Sequence, residues 1–352
     1  MIVDQTDTDK KDNKIAGLKI PTIIFGTSGL GNLFVALDDK AKLEIVKECI
    51  RNSNGTVVFD SAGKYGAGLA LETLSKCLKE LDIKDKNVII SNKLGWVRSP
   101  LTTAEPTFEP GVWKDLRYDA VQKISYDGML ECFEQGNDLL QGYIPQMVSV
   151  HDADEYISTA TNEEDAARLY HDVLDAYRAL SDLKKQGKVK AIGVGAKDWR
   201  TIQKIANDVE LDWVMFANSL TILKHPNELL KFMQELENRG VVIINSAVFH
   251  SGFLIGSDYF DYKLIKPDTP EHQKLFQWRA DFFKLCKEFD VKPAEACVQF
   301  ALNAPGVVSV ALNTTNANRV KQNVEMTNVQ IPAQFWCAMK SKGLIEHGYQ
   351  YV

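Results

Sequence analysis

Residues 57–68 read VVFDSAGKYGAG. The apolar run Val57–Val58–Phe59 ends in Asp60, and five residues later comes Tyr65, followed by Gly66 and Gly68. Leu71, Leu74, Leu78 and Leu81 then recur at helical spacing. The stretch is therefore a buried strand, a tight loop and a helix start. It sets a carboxylate and a phenol close together at the carboxyl end of a strand. An unperturbed phenol has a pKa near ~10, so one that exchanges a proton near neutrality needs a cation beside it.

Outward from this unit the same pattern repeats. Strand-like runs fall at 22–26, 57–60, 87–93, 146–151, 190–195, 213–218, 241–246 and 307–313. Most are nearly continuous in apolar residues, as strands buried on both faces of a parallel sheet are. Helical stripes lie between them, for example Leu169, Val173, Ala176, Leu180 and Leu183, and Leu275, Trp278, Phe282, Leu285 and Phe289. Eight strand–helix units give a (β/α)8 TIM barrel, an α/β fold. A doubly wound sheet is the competitor, but its G-x-G-x-x-G fingerprint is missing: Gly26, Gly29 and Gly31 are wrongly spaced, and Gly193 and Gly195 lack a third glycine at 198. Lys14–Pro21 predicts a small hairpin around Gly17, ahead of the first strand. Residues 1–13 are polar and charged and are expected to form a disordered tail, leaving 14–352 as one domain. Residues 94–123 form an extended loop after the third strand, either a wall of the active face or a surface excursion. A last helix is expected over 332–343.

The chain of 352 residues carries a net charge of −6, which speaks against a nucleic-acid partner. No run approaches the ~18 apolar residues of a membrane span. The first thirteen residues contain no apolar signal core. The six cysteines are scattered without a C-x-x-C pair, so free thiols, no metal centre and a cytoplasmic setting are expected.

Active sites of barrels sit at the carboxyl ends of the strands. There the second strand ends in Asp60, the third in Lys93 and the fourth in His151, with Tyr65 in the loop after the second. Each alone has an ordinary explanation: a helix cap, a solvated lysine, a surface histidine, a packed ring. Their joint occurrence at three successive strand ends is much harder to explain that way. An ammonium ~4 Å from the phenol would favour the phenolate by about 4 kcal/mol at an effective dielectric near 20, roughly three pK units. Asp60 would hold Lys93, and His151 would orient a substrate oxygen. Such a site moves one proton on one oxygen, and its natural counterpart is a hydride. A glycosidase needs two opposed carboxylates, and only Asp60 is clearly placed.

These residues, in the settings FDSAGKYGAG, SNKLGW, VHDADEY and AIGVGAKDW, with Asn323 in NRVKQN, resemble the aldo-keto reductase superfamily over about residues 14–328. INSAVFHSGFL at 244–254, HDADEY at 151–156 and RYDAVQKISYDGML at 117–130 are most similar to its aldose 1-dehydrogenase branch, which acts on L-fucose, D-threo-aldoses and L-galactose. The resemblance implies a barrel that binds a nicotinamide cofactor without a Rossmann fold and transfers a hydride at a carbinol carbon. It implies Asp60, Tyr65, Lys93 and His151 as the catalytic residues and a small-molecule sugar as substrate. Many members have Ser-Asn where Gly195 and Ala196 stand, so Asn218 is the substitute partner for the nicotinamide amide. Ser246 stands where many stack a Tyr. Phe249, Ser251, Gly252 and Leu254 match the pyrophosphate-covering segment, and Asn313, Thr314, Arg319 and Asn323 lie in the adenosine-binding unit. Asn313 in place of a frequent Lys points to NAD, with Arg319 leaving NADP as an alternative. Trp96, Trp113, His250 and Phe34 are candidate pocket walls. The rival reading is NADPH-dependent reduction of aldehydes or ketones, and a non-catalytic barrel is a more distant one.

Overall fold

The computed structural model describes residues 14–53 and 55–352; the predicted tail, 1–13, lies outside them. Eight parallel strands close a barrel: β1 (Ile23–Gly26), β2 (Val57–Ala62), β3 (Val88–Leu94), β4 (Met147–His151), β5 (Ala191–Ala196), β6 (Trp213–Ala217), β7 (Val242–Ser246) and β8 (Val307–Leu312). Consecutive strands are neighbours, and β8 returns to β1 with Val310 opposite Ile23. Around them run α1 (Asp39–Arg51), α2 (Leu69–Glu80), α3 (Tyr126–Leu140), α4 (Ala153–Ser158), α5 (Glu163–Lys185), α6 (Trp199–Asp208), α7 (Asn227–Asn238), α8 (Pro270–Glu288), α9 (Pro293–Asn303) and α10 (Asn318–Met326). The Leu71–Leu78 stripe faces the barrel from α2, and the Leu169–Leu183 stripe does so from α5.

The hairpin is present, pairing Ile15 with Leu18. Its Ile15, Leu18 and Ile20 seal the amino-terminal end of the barrel against Ile24, Val58, Ile89, Met147 and Trp213. Gly193 lets β5 lie flat on Trp213, since a Cβ there would meet the indole ring at 2.3 Å. After the eighth unit α11 (Ala333–Ser341) packs on α8, with the rings of Phe335 and Phe289 6.0 Å apart.

The excursion after β3 corrects one expectation. It is not a plain loop but an antiparallel ribbon, Trp96–Pro100 against Tyr118–Gln122, carrying a lobe over 101–117. The strands are only five residues each and isolated from the barrel sheet, so their alternation carries little signal in the sequence. No helix among the described residues is long and apolar enough to cross a membrane.

Candidate active site

Along β2, β3 and β4 every second side chain points into the barrel. These inward series start apolar and end polar: Val58 then Asp60, Ile89 then Ser91 and Lys93, Met147 then Ser149 and His151. The polar ends meet. Lys93 and Asp60 form a buried ion pair, and the Ser91 hydroxyl donates to Asp60 at 3.1 Å. The Lys93 ammonium lies 4.9 Å from the centre of the Tyr65 ring, and that ring meets His151 edge-on at 5.6 Å. Gly66 makes this loop geometry available. Its φ is +61°, and a Cβ on it would strike the Gly31 carbonyl at 2.3 Å. The loop carrying Tyr65 is thereby laid directly on the 28–31 turn after β1.

The electrostatics differ from the sequence expectation at the phenol. Burial raises the Tyr65 pKa well above its usual value, and the Asp60 carboxylate raises it further. Lys93 lies over the ring with its charge paired to Asp60, so the surroundings together favour the neutral phenol. His151 behaves more simply. Burial lowers its pKa to about 3, so it is a neutral imidazole at physiological pH. Its Nδ1 is buried without a hydrogen-bond partner.

Aromatic rings wall one side of this cluster. Trp113 lies 5.8 Å from Tyr65 and stacks on Phe108, which in turn packs on Trp96. Phe34 is exposed at the rim, 5.7 Å from Tyr259, and its N–H donates to the Val112 carbonyl. His250, expected as a wall, is not one. It is 0% exposed, sandwiched on Phe260, with its two ring nitrogens engaged by Thr221 and Asp261. It braces the segment after β7 instead.

The residues expected around a cofactor are spread along β5 to β8. Gly195 leaves ordinary contact distance to Lys93, 3.5 Å from a notional Cβ. Asn218, just beyond β6, is buried at φ +58°, and its side-chain carbonyl has no partner. The Ser246 hydroxyl donates to the Phe216 carbonyl. In the segment after β7, Phe249 is half-buried and the Leu254 side chain is fully in the core, so only the backbone of Leu254 is free to meet a ligand. Gly252 takes φ +94°, and the Ser251 hydroxyl accepts from the Tyr262 N–H. After β8, Asn313 and Arg319 are exposed and Thr314 and Asn323 half-buried. Asn313 accepts from the Gly29 N–H at 3.4 Å, and α10 begins without a side-chain cap or an acidic residue in its first turn.

The sequence reading missed a second charged cluster beside the first. Lys64, next to Tyr65, is 3% exposed and is held by Asp152, Glu109 and Glu155 at 2.9, 2.9 and 3.2 Å. Lys197 also pairs with Glu155, 5.2 Å from the Tyr262 ring. A lysine in a loop normally reads as solvated. Only adjacency hinted otherwise: Lys64 precedes Tyr65, and Asp152 follows His151.

Residues 22–343 match the Aldo/keto reductase family. The chain belongs to that family. Among relatives that match most of the chain, a pyridoxal 4-dehydrogenase from Microbacterium luteolum is 27% identical, with 94% of this chain and 96% of the relative covered. A D-threo-aldose 1-dehydrogenase from a Pseudomonas species is 26% identical over the same shares of the two chains. The solved aldo-keto reductase from Bacillus halodurans, in its holo form, is similar in fold, with a TM-score of 0.66 at 17% identity and 95% of each chain covered. As an aldo/keto reductase the protein is an oxidoreductase that works with a nicotinamide cofactor. The orphaned Asn218 carbonyl suits an amide donor, and the uncapped start of α10 suits an anion, so this aldo/keto reductase has residues that fit such a cofactor.

Proposed function

We propose that the protein oxidises an aldopyranose of the L-fucose, D-arabinose or L-galactose type at C1, giving the aldonolactone. The observation that carries this reading is the cluster of Tyr65, Lys93, Asp60 and His151 at the strand ends beneath an aromatic wall. The nicotinamide, when bound in its oxidised form, supplies a hydride acceptor for C1 and a positive charge. Asn218 would hold its amide, Gly195 and Ser246 would lie beside its nicotinamide ring, Phe249, Ser251, Gly252 and Leu254 would cover its pyrophosphate, and Asn313, Thr314, Arg319 and Asn323 would hold its adenosine.

Within this reading Tyr65 would first release its own proton to solvent, favoured by the positive charge that the bound nicotinamide brings, and as the phenolate would take the proton of the C1 hydroxyl. Neutral His151 donates to or accepts from that oxygen and turns it toward the phenol. Lys93, fixed by Asp60, keeps a positive charge against the Tyr65 ring and stabilises the phenolate once formed. Trp96, Trp113 and Phe34 offer flat faces to the sugar ring. The similarity to an aldose 1-dehydrogenase favours oxidation of a sugar over reduction of a simple aldehyde. Asn313 in the eighth unit favours NAD. Arg319, in the first turn of the uncapped α10, is the one feature favouring a 2′-phosphate, and with it the NADPH-dependent reductase reading.

The test follows nicotinamide absorbance with NAD⁺ or NADP⁺ against L-fucose, D-arabinose, L-galactose, D-glucose and pyridoxal. Reduction of NAD⁺ with the first three sugars and not with D-glucose is expected. Oxidation of NADPH by simple aldehydes, with silence toward every sugar, supports the reductase reading instead. Tyr65→Phe is expected to lower turnover by about a hundredfold or more. A folded variant that keeps most of its turnover removes Tyr65 from the mechanism.

A further inference from the structure

In the lobe over residues 101–117, Glu109 ties the aromatic wall to the loop that carries the catalytic phenol. Its two carboxylate oxygens do different things. Oε1 pairs with Lys64 at 2.9 Å, and Oε2 accepts from the Trp113 indole at 2.6 Å. Both partners adjoin Tyr65: Lys64 precedes it in the chain, and Trp113 packs on its ring. Glu109 sits at φ +47°, a conformation that costs a non-glycine residue energy and that these two bonds offset. Lys64 is equally committed. It lies 5.2 Å from the Trp96 ring and pairs with Asp152 and Glu155 from β4 and α4. Burial acts against its charge, but Asp152, Glu109 and Glu155 outweigh that and hold its pKa well above the ordinary lysine value.

We propose that Lys64 and Glu109 are positioning residues, a clamp that fixes the Trp113 wall, the Tyr65 ring and the His151 strand end relative to one another and so sets the width of the sugar-binding mouth. The proposal rests on Tyr65 acting as the proton-transfer group. It assigns to the lobe a task beyond walling a pocket, and it joins three loops through two side chains. Glu109→Gln removes the negative charge and puts an NH2 donor where one of the two accepting oxygens stood, against either the Lys64 ammonium or the indole N–H. Methionine at 64 leaves Asp152, Glu109 and Glu155 without their shared cation.

The groups facing Tyr65 are Asp60, Lys93, His151, Asp152, Tyr262 and Lys64, and Lys64 opposes the upward push of Asp60, Asp152 and Tyr262. Removing it therefore shifts the phenol's titration to higher pH.

The experiment has two arms. In steady-state kinetics with NAD⁺ and the best sugar, Glu109→Gln is expected to lower kcat/KM severalfold, mostly through KM. Lys64→Met is expected to lose about tenfold in kcat at neutral pH and to move the rising limb of its pH profile up by about one unit, with Lys64→Arg restoring both. In limited trypsin digestion, which needs no turnover, Glu109→Gln is expected to speed cleavage at Lys114 and Arg117, both exposed in the lobe. An unchanged KM and unchanged cleavage in Glu109→Gln overturn the clamp, as does a wild-type pH profile in folded Lys64→Met. If Lys64→Met fails to fold, Glu109→Gln decides alone. If no sugar is turned over, the proposed function fails while the digestion still decides whether the clamp exists.

Discussion

At the scale of single residues, the site is a contest between burial and charge. His151 illustrates it. Its folded pKa of about 3 lies below the unfolded value of 6.5, so the unfolded chain binds the proton more tightly. The stability linked to the neutral imidazole is complete above pH 6.5 and drains away as the pH falls toward 3. His151→Gln is expected to flatten this dependence by about 3 kcal/mol between pH 7 and pH 4, read from urea midpoints across pH. The four site residues were legible in the sequence because each ends or follows a strand, and strand ends are where barrels place chemistry. The direction of the phenol's shift was not legible. It depends on how much water the ring loses and on Asp60 standing beside it, paired with Lys93, and both are properties of the assembled site. Lys64 escaped for the same reason: nothing in GKYG says that three carboxylates from elsewhere will converge on it.

At the scale of elements, the eight strands were visible because a strand buried on both faces must be almost wholly apolar. VVIINS and VVSVAL are plain examples. The ribbon after β3 was not visible, since WVRSP and YDAVQ mix polar and apolar residues and one contains a proline. Glycines in strands carried a meaning that composition could not give. Gly193 is flat against Trp213, with a notional Cβ 2.3 Å from the indole and 2.6 Å from the Trp213 carbonyl. Gly193→Ala is therefore expected to push β5 off β6 and to cost about 1–3 kcal/mol or more. The measurement is a denaturant midpoint for the variant against the parent. A neutral result would mean that the strand pair slides without loss.

At the scale of the whole molecule, the barrel has a face for chemistry and a face for stability. The hairpin that seals the amino-terminal end lies at the opposite end of the strands from Tyr65 and His151. Ile15→Ala is expected to cost about 2–4 kcal/mol in unfolding free energy and to leave kcat/KM of the folded enzyme unchanged. A matched loss of activity would show that the two faces communicate. The ring itself closes only where β8 meets β1, at Val310 and Ile23. On the ribosome, residues emerge at roughly 5–20 per second. The edge of β1 thus waits on the order of 15–60 s for its partner, while the seven strands that follow it are translated. A long-lived bare strand edge is a template for pairing with other chains, so the closing strand β8 also protects the nascent chain from its neighbours.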